Sequence, residues 1–101
     1  RKVVILMCET DKPIYKTRAI HEKLSLEHQL FILQYVYDNQ EKLTDYLQVF
    51  EFYVENNQQW LIQRQEVPER ETTIYVELKT TKPINRKIWV MDQVDYIIIH
   101  Y

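Results

Sequence analysis

"DYLQVFEFYVENNQQWLIQRQEV", residues 45–67, decides the fold class. Its first half, 45–55, is rich in aromatic and β-branched residues, which suit a pleated, half-buried surface. Asn56–Asn57 follows, and asparagine tolerates positive φ best after glycine. The return segment, 59–67, ends at Pro68, which cannot donate to a ladder. The stretch therefore predicts a β-hairpin turning on Asn56–Asn57.

Downstream, "TTIYVELK" (72–79) alternates, with Thr72, Ile74, Val76 and Leu78 on one face and Thr73, Tyr75, Glu77 and Lys79 on the other. Such alternation marks a sheet covered on one side only. "KIWVM" (87–91), a turn at Asp92–Gln93 and "VDYIIIHY" (94–101) predict a last hairpin. Upstream, the apolar run 2–8 predicts a buried strand. "YKTRAIHEKL" (15–24) reads as a short extended piece followed by a turn. Ser25 can cap a helix, and Glu27 suits its first turn. That helix is predicted over about 26–41. Leu26, Leu30, Leu33 and Tyr37 form its apolar stripe, widened by Ile32 and Val36. The expected architecture is α+β in a single domain spanning 1–101: one main helix packed on an antiparallel sheet of about five or six strands.

Composition excludes a good deal. The 101-residue chain has no glycine, where about seven would be ordinary. Phosphate-binding loops, dinucleotide fingerprints and nucleophile elbows all need glycine where the backbone turns tightly. A net charge of −2 is too small to announce nucleic-acid binding. No run of eighteen apolar residues exists, so no transmembrane helix is expected. "KVVILMC" (2–8) is too short for a secretion signal and is followed at once by Glu9 and Asp11. Cys8 is the one cysteine, which fits a reducing, cytoplasmic setting. Cys8, His21, His28 and His100 are scattered, so neither a metal site nor a Cys–His nucleophile pair is expected, and no cofactor is implied.

"LIQRQEVPER" (61–70) sets carboxylates beside guanidiniums. Gln63, Arg64, Gln65 and Glu66 leave no apolar side, so this strand end is expected to be solvated or to line a polar groove. Glu66 and Glu69 are the pair a small hydrolase would use, but such chemistry needs a cleft and a carboxyl of raised pKa. Exposed ion pairing is the plainer reading. Lys79, Lys82, Arg86 and Lys87 form a basic cluster suited to phosphate or an acidic protein, although a solvated loop looks the same in sequence. Residues 38–55 lean acidic. Phe31 and Tyr35 project from nearly the opposite side of the helix to its stripe. Covered by residues 9–22 they are structural; uncovered, they are anchors for a partner or a second copy.

Four phrases, "KLSLEHQLFILQYVYD" (23–38), "DYLQVFEF" (45–52), "QRQEVPER" (63–70) and "PINRKIWVMDQVDY" (83–96), occur together in this order. In this the chain resembles a family of small proteins of Gram-positive bacteria and their phages, catalogued as domain of unknown function nine hundred and sixty. The resemblance covers roughly 15–99, and residues 1–12 depart from it. It implies a compact α+β domain in a phage or mobile-element setting and supplies no catalytic residues. The expected function is a non-enzymatic protein-binding module that inhibits or modulates a host protein, an anti-CRISPR-type inhibitor being one form. Its expected contact residues are Phe31, Tyr35, Lys79, Lys82, Arg86 and Lys87, with a homo-oligomer as a further partner. The alternatives are a nucleic-acid-associated accessory protein using the basic loop 79–87 and, remotely, the small hydrolase.

Overall fold

The computed structural model describes residues 3–6 as backbone, and 12–93 and 95–101 in full. In chain order the elements are β1 (Val3–Leu6), β2 (Ile14–Thr17), α1 (Arg18–Lys23), α2 (Leu26–Asp38), β3 (Leu47–Glu55), β4 (Gln58–Gln65), β5 (Arg70–Val76), β6 (Arg86–Asp92) and β7 (Ile97–His100). All seven strands join one sheet in the order β1-β2-β7-β6-β3-β4-β5. The α+β class holds, but the sheet is mixed rather than antiparallel. β2 and β7 run parallel, with Ile14 beside Ile97, while every other pair is antiparallel. Four residues in a segment that reads as extended-then-turn carry no sign of a parallel neighbour so far along the chain. The burial expected for the first strand, and the place of Cys8 in it, lie outside the described residues.

The central hairpin forms where the sequence places it. Glu55 pairs with Gln58, and Asn56 and Asn57 take φ of 53° and 62°. Two consecutive positive φ values make the turn type whose twist matches that of the strands. The alternation read in 72–78 is also observed: Val76 is buried and Thr72, Ile74 and Leu78 are half-buried, while Thr73, Tyr75 and Glu77 are exposed.

α2 starts where Ser25 caps it, the hydroxyl oxygen accepting the His28 N–H at 3.0 Å. It ends at Asp38, three residues before the expected end, because Asn39 closes it. Both the Asn39 backbone N–H and its side-chain Nδ2 donate to Tyr35 O. α1 is a short helix capped by Thr17 in place of the expected turn, and it buries Ile20 completely.

The face that α2 presents to the core differs from the expected stripe. Leu26 is 65% exposed, Leu30 53% and Tyr37 41%, whereas His28, Gln29, Ile32 and Val36 are buried. Phe31 and Tyr35 are half-buried against the same core, and Tyr35 meets Phe50 edge-on at 5.7 Å. They are not a pair on the far side of the helix. The leucines pulled the predicted stripe about a third of a turn round; the true face carries His28 and Gln29, which the sheet supplies with partners. The core lies between the helices and one face of the sheet, built from Phe50, Phe52, Leu61, Ile88, Val90 and Ile99 below and Ile20, Leu24, Ile32 and Val36 above.

Candidate functional site

Both helices pack on one face of the sheet; on the other, Ile98 of β7 is buried, and the described residues of β3 to β6 form an open stretch. Strand alternation fixes which residues it shows. Across β3, β4 and β5, Tyr53 stands beside Trp60 and Trp60 beside Tyr75. The last two rings meet edge-on at 5.3 Å. Val49 lies between Arg64 and Trp89, and Leu47 beside Met91. On β3 to β6 no described side chain of this face is buried; all are half-buried or exposed. Aromatic rings on a bare sheet face are the kind of surface that other proteins use as anchors.

Charges cross this apolar field in an ordered way. The Arg64 guanidinium bridges Glu51 at 2.8 Å and Glu71 at 3.1 Å. The Glu51 hydrogen bond, then that of Glu71, raises its already high pKa. Lys87 lies over the Trp89 ring, 5.8 Å from its centre. A groove of 430 Å³ opens at the β3–β4 end, floored by Leu47, Val49 and Trp89 and rimmed by Arg64, Glu66, Glu69, Arg70 and Glu71. Glu66 and Glu69 are exposed on that rim, and Arg64 and Arg70 half-buried. Neither carboxylate is enclosed in the way a catalytic acid needs.

Of the two expectations for the polar run 63–66, solvation or lining a groove, Arg64, Gln65 and Glu66 meet the second, but the run is not wholly solvated. Gln63 and Gln65 are buried on the helix side, while Arg64 faces the open side. Gln65 Oε1 accepts from Thr44 N, Asp45 N and Gln48 Nε2, and its own Nε2 donates to Pro68 O. Gln63 Nε2 donates to Gln48 Oε1 at 2.6 Å. Buried amides are tolerable when their donors and acceptors are matched. Here nearly all are; Gln63 Oε1 is the exception among the described residues. Asp45 completes this corner by accepting the Val67 and Glu66 N–H groups, which hold its carboxyl below the usual range.

The basic cluster does not form one surface. Lys87 belongs to the open face, while Arg86, its neighbour along β6, stacks its guanidinium 3.7 Å above the Tyr101 ring. Lys79 and Lys82 are exposed on the loop before β6. That loop is anchored by Glu27, which was expected only to complement the helix dipole. Its carboxylate accepts Lys79 N at 2.6 Å, Thr80 N and Thr81 N each at 3.1 Å, and both threonine hydroxyls. These donors, the Lys79 N–H foremost, depress its pKa to about 2.

A serine–imidazole–amide chain spans helix and sheet: Ser25 Oγ to His28 Nδ1 at 2.6 Å, and His28 Nε2 to Gln59 Oε1 at 2.8 Å. It resembles a nucleophile relay but is built as a clamp. His28 is fully buried, Ser25 Oγ is committed to the helix cap, and a neutral amide lacks the charge that a carboxylate offers an imidazolium. Nearby, Lys16 is buried with its Nζ 2.8 Å from Gln29 Oε1, and desolvation lowers its pKa. No three His, Cys, Asp or Glu side chains converge as a metal site among the described residues. No described helix is long and apolar enough to cross a membrane.

No protein-family model matches the chain. No curated protein matches it either. Its fold is shared by a crystal structure of a protein of unknown function from Enterococcus faecalis, with a TM-score of 0.78 and 16% identity over 91% of this chain and 89% of that one.

Proposed function

We propose that the chain is a non-enzymatic protein-binding module whose docking surface is the open face of the sheet. The observation that carries this reading is the aromatic field of exposed Tyr75 and half-buried Tyr53, Trp60 and Trp89, with Lys87 and the Arg64 ion pairs set among the rings. Rings of this kind contribute binding energy at small entropic cost, and flanking charges orient the partner. The resemblance of four phrases to the small phage-associated family motivates a host protein as the target, inhibited or modulated in the cytoplasm, with anti-CRISPR-type inhibition as one form. Phe31 and Tyr35, half-buried against the core, are better suited to shape α2 than to touch the partner directly. Lys79 and Lys82 remain contact residues at the loop, where their charge would speed association.

Affinity capture from a bacterial host lysate tests the reading, with the wild type compared against Tyr75→Ser and Lys87→Glu, both at exposed positions. A host protein retained by the wild type and lost with both variants, at unchanged melting temperature, supports it. Retention unaffected by either variant would move the docking surface elsewhere. DNA binding with a steep salt dependence would favour the nucleic-acid alternative instead.

A further inference from the structure

β5 ends the sheet: β4 pairs with one of its sides, and no described strand pairs with the other. Free edges are usually blunted by proline, a bulge, charged side chains or a covering segment. No proline or bulge interrupts β5, whose ladder with β4 runs without a break from Gln65–Arg70 to Gln59–Val76, and its two charges, Arg70 and Glu71, are of opposite sign. We propose that this edge pairs with the same edge of a second copy of the chain, antiparallel, about a two-fold axis passing through Thr73.

The strand is its own complement in that register. Thr73 comes opposite Thr73 of the second copy, Glu71 opposite Tyr75, Thr72 opposite Ile74 and Arg70 opposite Val76, so all seven residues find a partner. Every pair lies on one side of the sheet, and no like charges meet within the strand. The Tyr75 hydroxyl is a donor for the opposing Glu71 carboxylate, and opposed threonines are a favourable cross-strand pair. Just beyond the strand ends this register sets Glu69 against Glu77, so charge does not separate it from its neighbours; the length of the pairing does. An axis at Ile74 pairs only residues 72–76 within the strand, and one at Thr72 only 70–74, with Pro68, which has no N–H, against Val76. A one-residue slip turns the helix side of one copy onto the open side of the other. The two-fold axis stands perpendicular to the sheet, so both pairs of helices fall on one side and the two open faces become continuous. A single strand–strand contact is smaller than the ~1,600 Å² of a standard interface. Association is therefore expected to be weak, with a Kd on the order of 1–100 µM.

Sedimentation equilibrium over a concentration series tests this with purified protein alone, so its outcome is independent of the binding function proposed above. The variants are Thr73→Lys and Thr73→Glu, at a position exposed on the open face. The wild type is expected to dimerise. Each variant alone places like charges on the axis and should weaken dimerisation at least about tenfold. An equimolar mixture of the two should recover it. A wild type that stays monomeric to about 1 mM, or a dimer indifferent to Thr73→Lys, would overturn the proposal. Should a variant fail to fold, hydrogen exchange of the wild type at low and high concentration reads the same contact. Protection gained in residues 70–76 supports the pairing, and protection gained only elsewhere refutes it.

Discussion

Gln59 lies under the first turn of α2 and takes the Nε2 proton of His28 on its Oε1 at 2.8 Å. The direction of this bond follows from the other end of the amide. Gln59 Nε2 faces the carbonyls of Tyr53, Trp60 and Ile84, which only accept, so Oε1 must be the atom turned to the imidazole and to Ile84 N. The His28 Nε2 therefore carries the hydrogen of this bond, while its Nδ1 lies 2.6 Å from the Ser25 hydroxyl. One buried glutamine thus joins the helix, the central hairpin and the loop before β6.

Replacing Gln59 with Leu keeps the approximate volume and strands five partner groups on four residues at once. A buried group left unpaired costs about 1–3 kcal/mol. With some relaxation, Gln59→Leu should lower stability by about 2–4 kcal/mol in urea denaturation. A loss below about 0.5 kcal/mol would mean that water replaces the amide without penalty.

Glu27 makes the loop 79–81 sensitive to acid. Its folded pKa of about 2 lies below the ordinary value of 4.5. The contribution of this contact is therefore complete above pH 4.5 and is lost as the pH falls toward 2. Amide exchange at Lys79, Thr80 and Thr81 should accelerate across that window in the wild type. In Glu27→Gln it should already be fast at pH 7 and lack this acid-dependent step. Equal protection in both proteins at pH 7 would show that the loop is held by something else.

The helix face can be checked by paired truncations. Tyr35→Ala removes a ring packed edge-on against Phe50 and should cost about 2–3 kcal/mol. Leu30→Ala, at a residue 53% exposed, should change stability by no more than about 0.5 kcal/mol. The reverse order in thermal melts would restore the leucine stripe as the core face.

Asn57 occupies left-handed backbone with φ of 62°. Glycine enters that region without the Cβ conflict. Asn57→Gly should therefore leave stability unchanged or raise it by up to about 1 kcal/mol, while Asn57→Val should lower it by about 1–2 kcal/mol. A valine variant as stable as the wild type would show that the turn has another conformation open to it.

What could be read from sequence was local. The Asn56–Asn57 turn, the Ser25 cap and the alternation of 72–78 each depend on neighbours a few residues apart, and each is found in place. What could not be read depends on partners distant in the chain. His28 and Gln29 look like solvent-facing residues until Gln59 and Lys16 are brought against them, and Gln63 and Gln65 until Gln48 is. Leu26 and Leu30 looked like core only because hydrophobicity was the sole guide. The open aromatic face was partly visible, since Trp60, Tyr75 and Trp89 each sit on a strand read correctly. Their meeting on one surface required the strand order.

That order also sets a sequence of events for folding. β3, β4 and β5 are consecutive antiparallel neighbours, so their ladders close over short loops. The parallel seam between β2 and β7 joins Ile14 to Ile97, 97 − 14 = 83 residues apart. Loop-closure entropy makes such a contact unrewarding until the intervening chain is already compact. The meander should act as the template in refolding, and docking of β2 on β7 as its final, rate-limiting closure. Mutations in the seam would then slow folding, while those in the Asn56–Asn57 hairpin would alter how often the template forms.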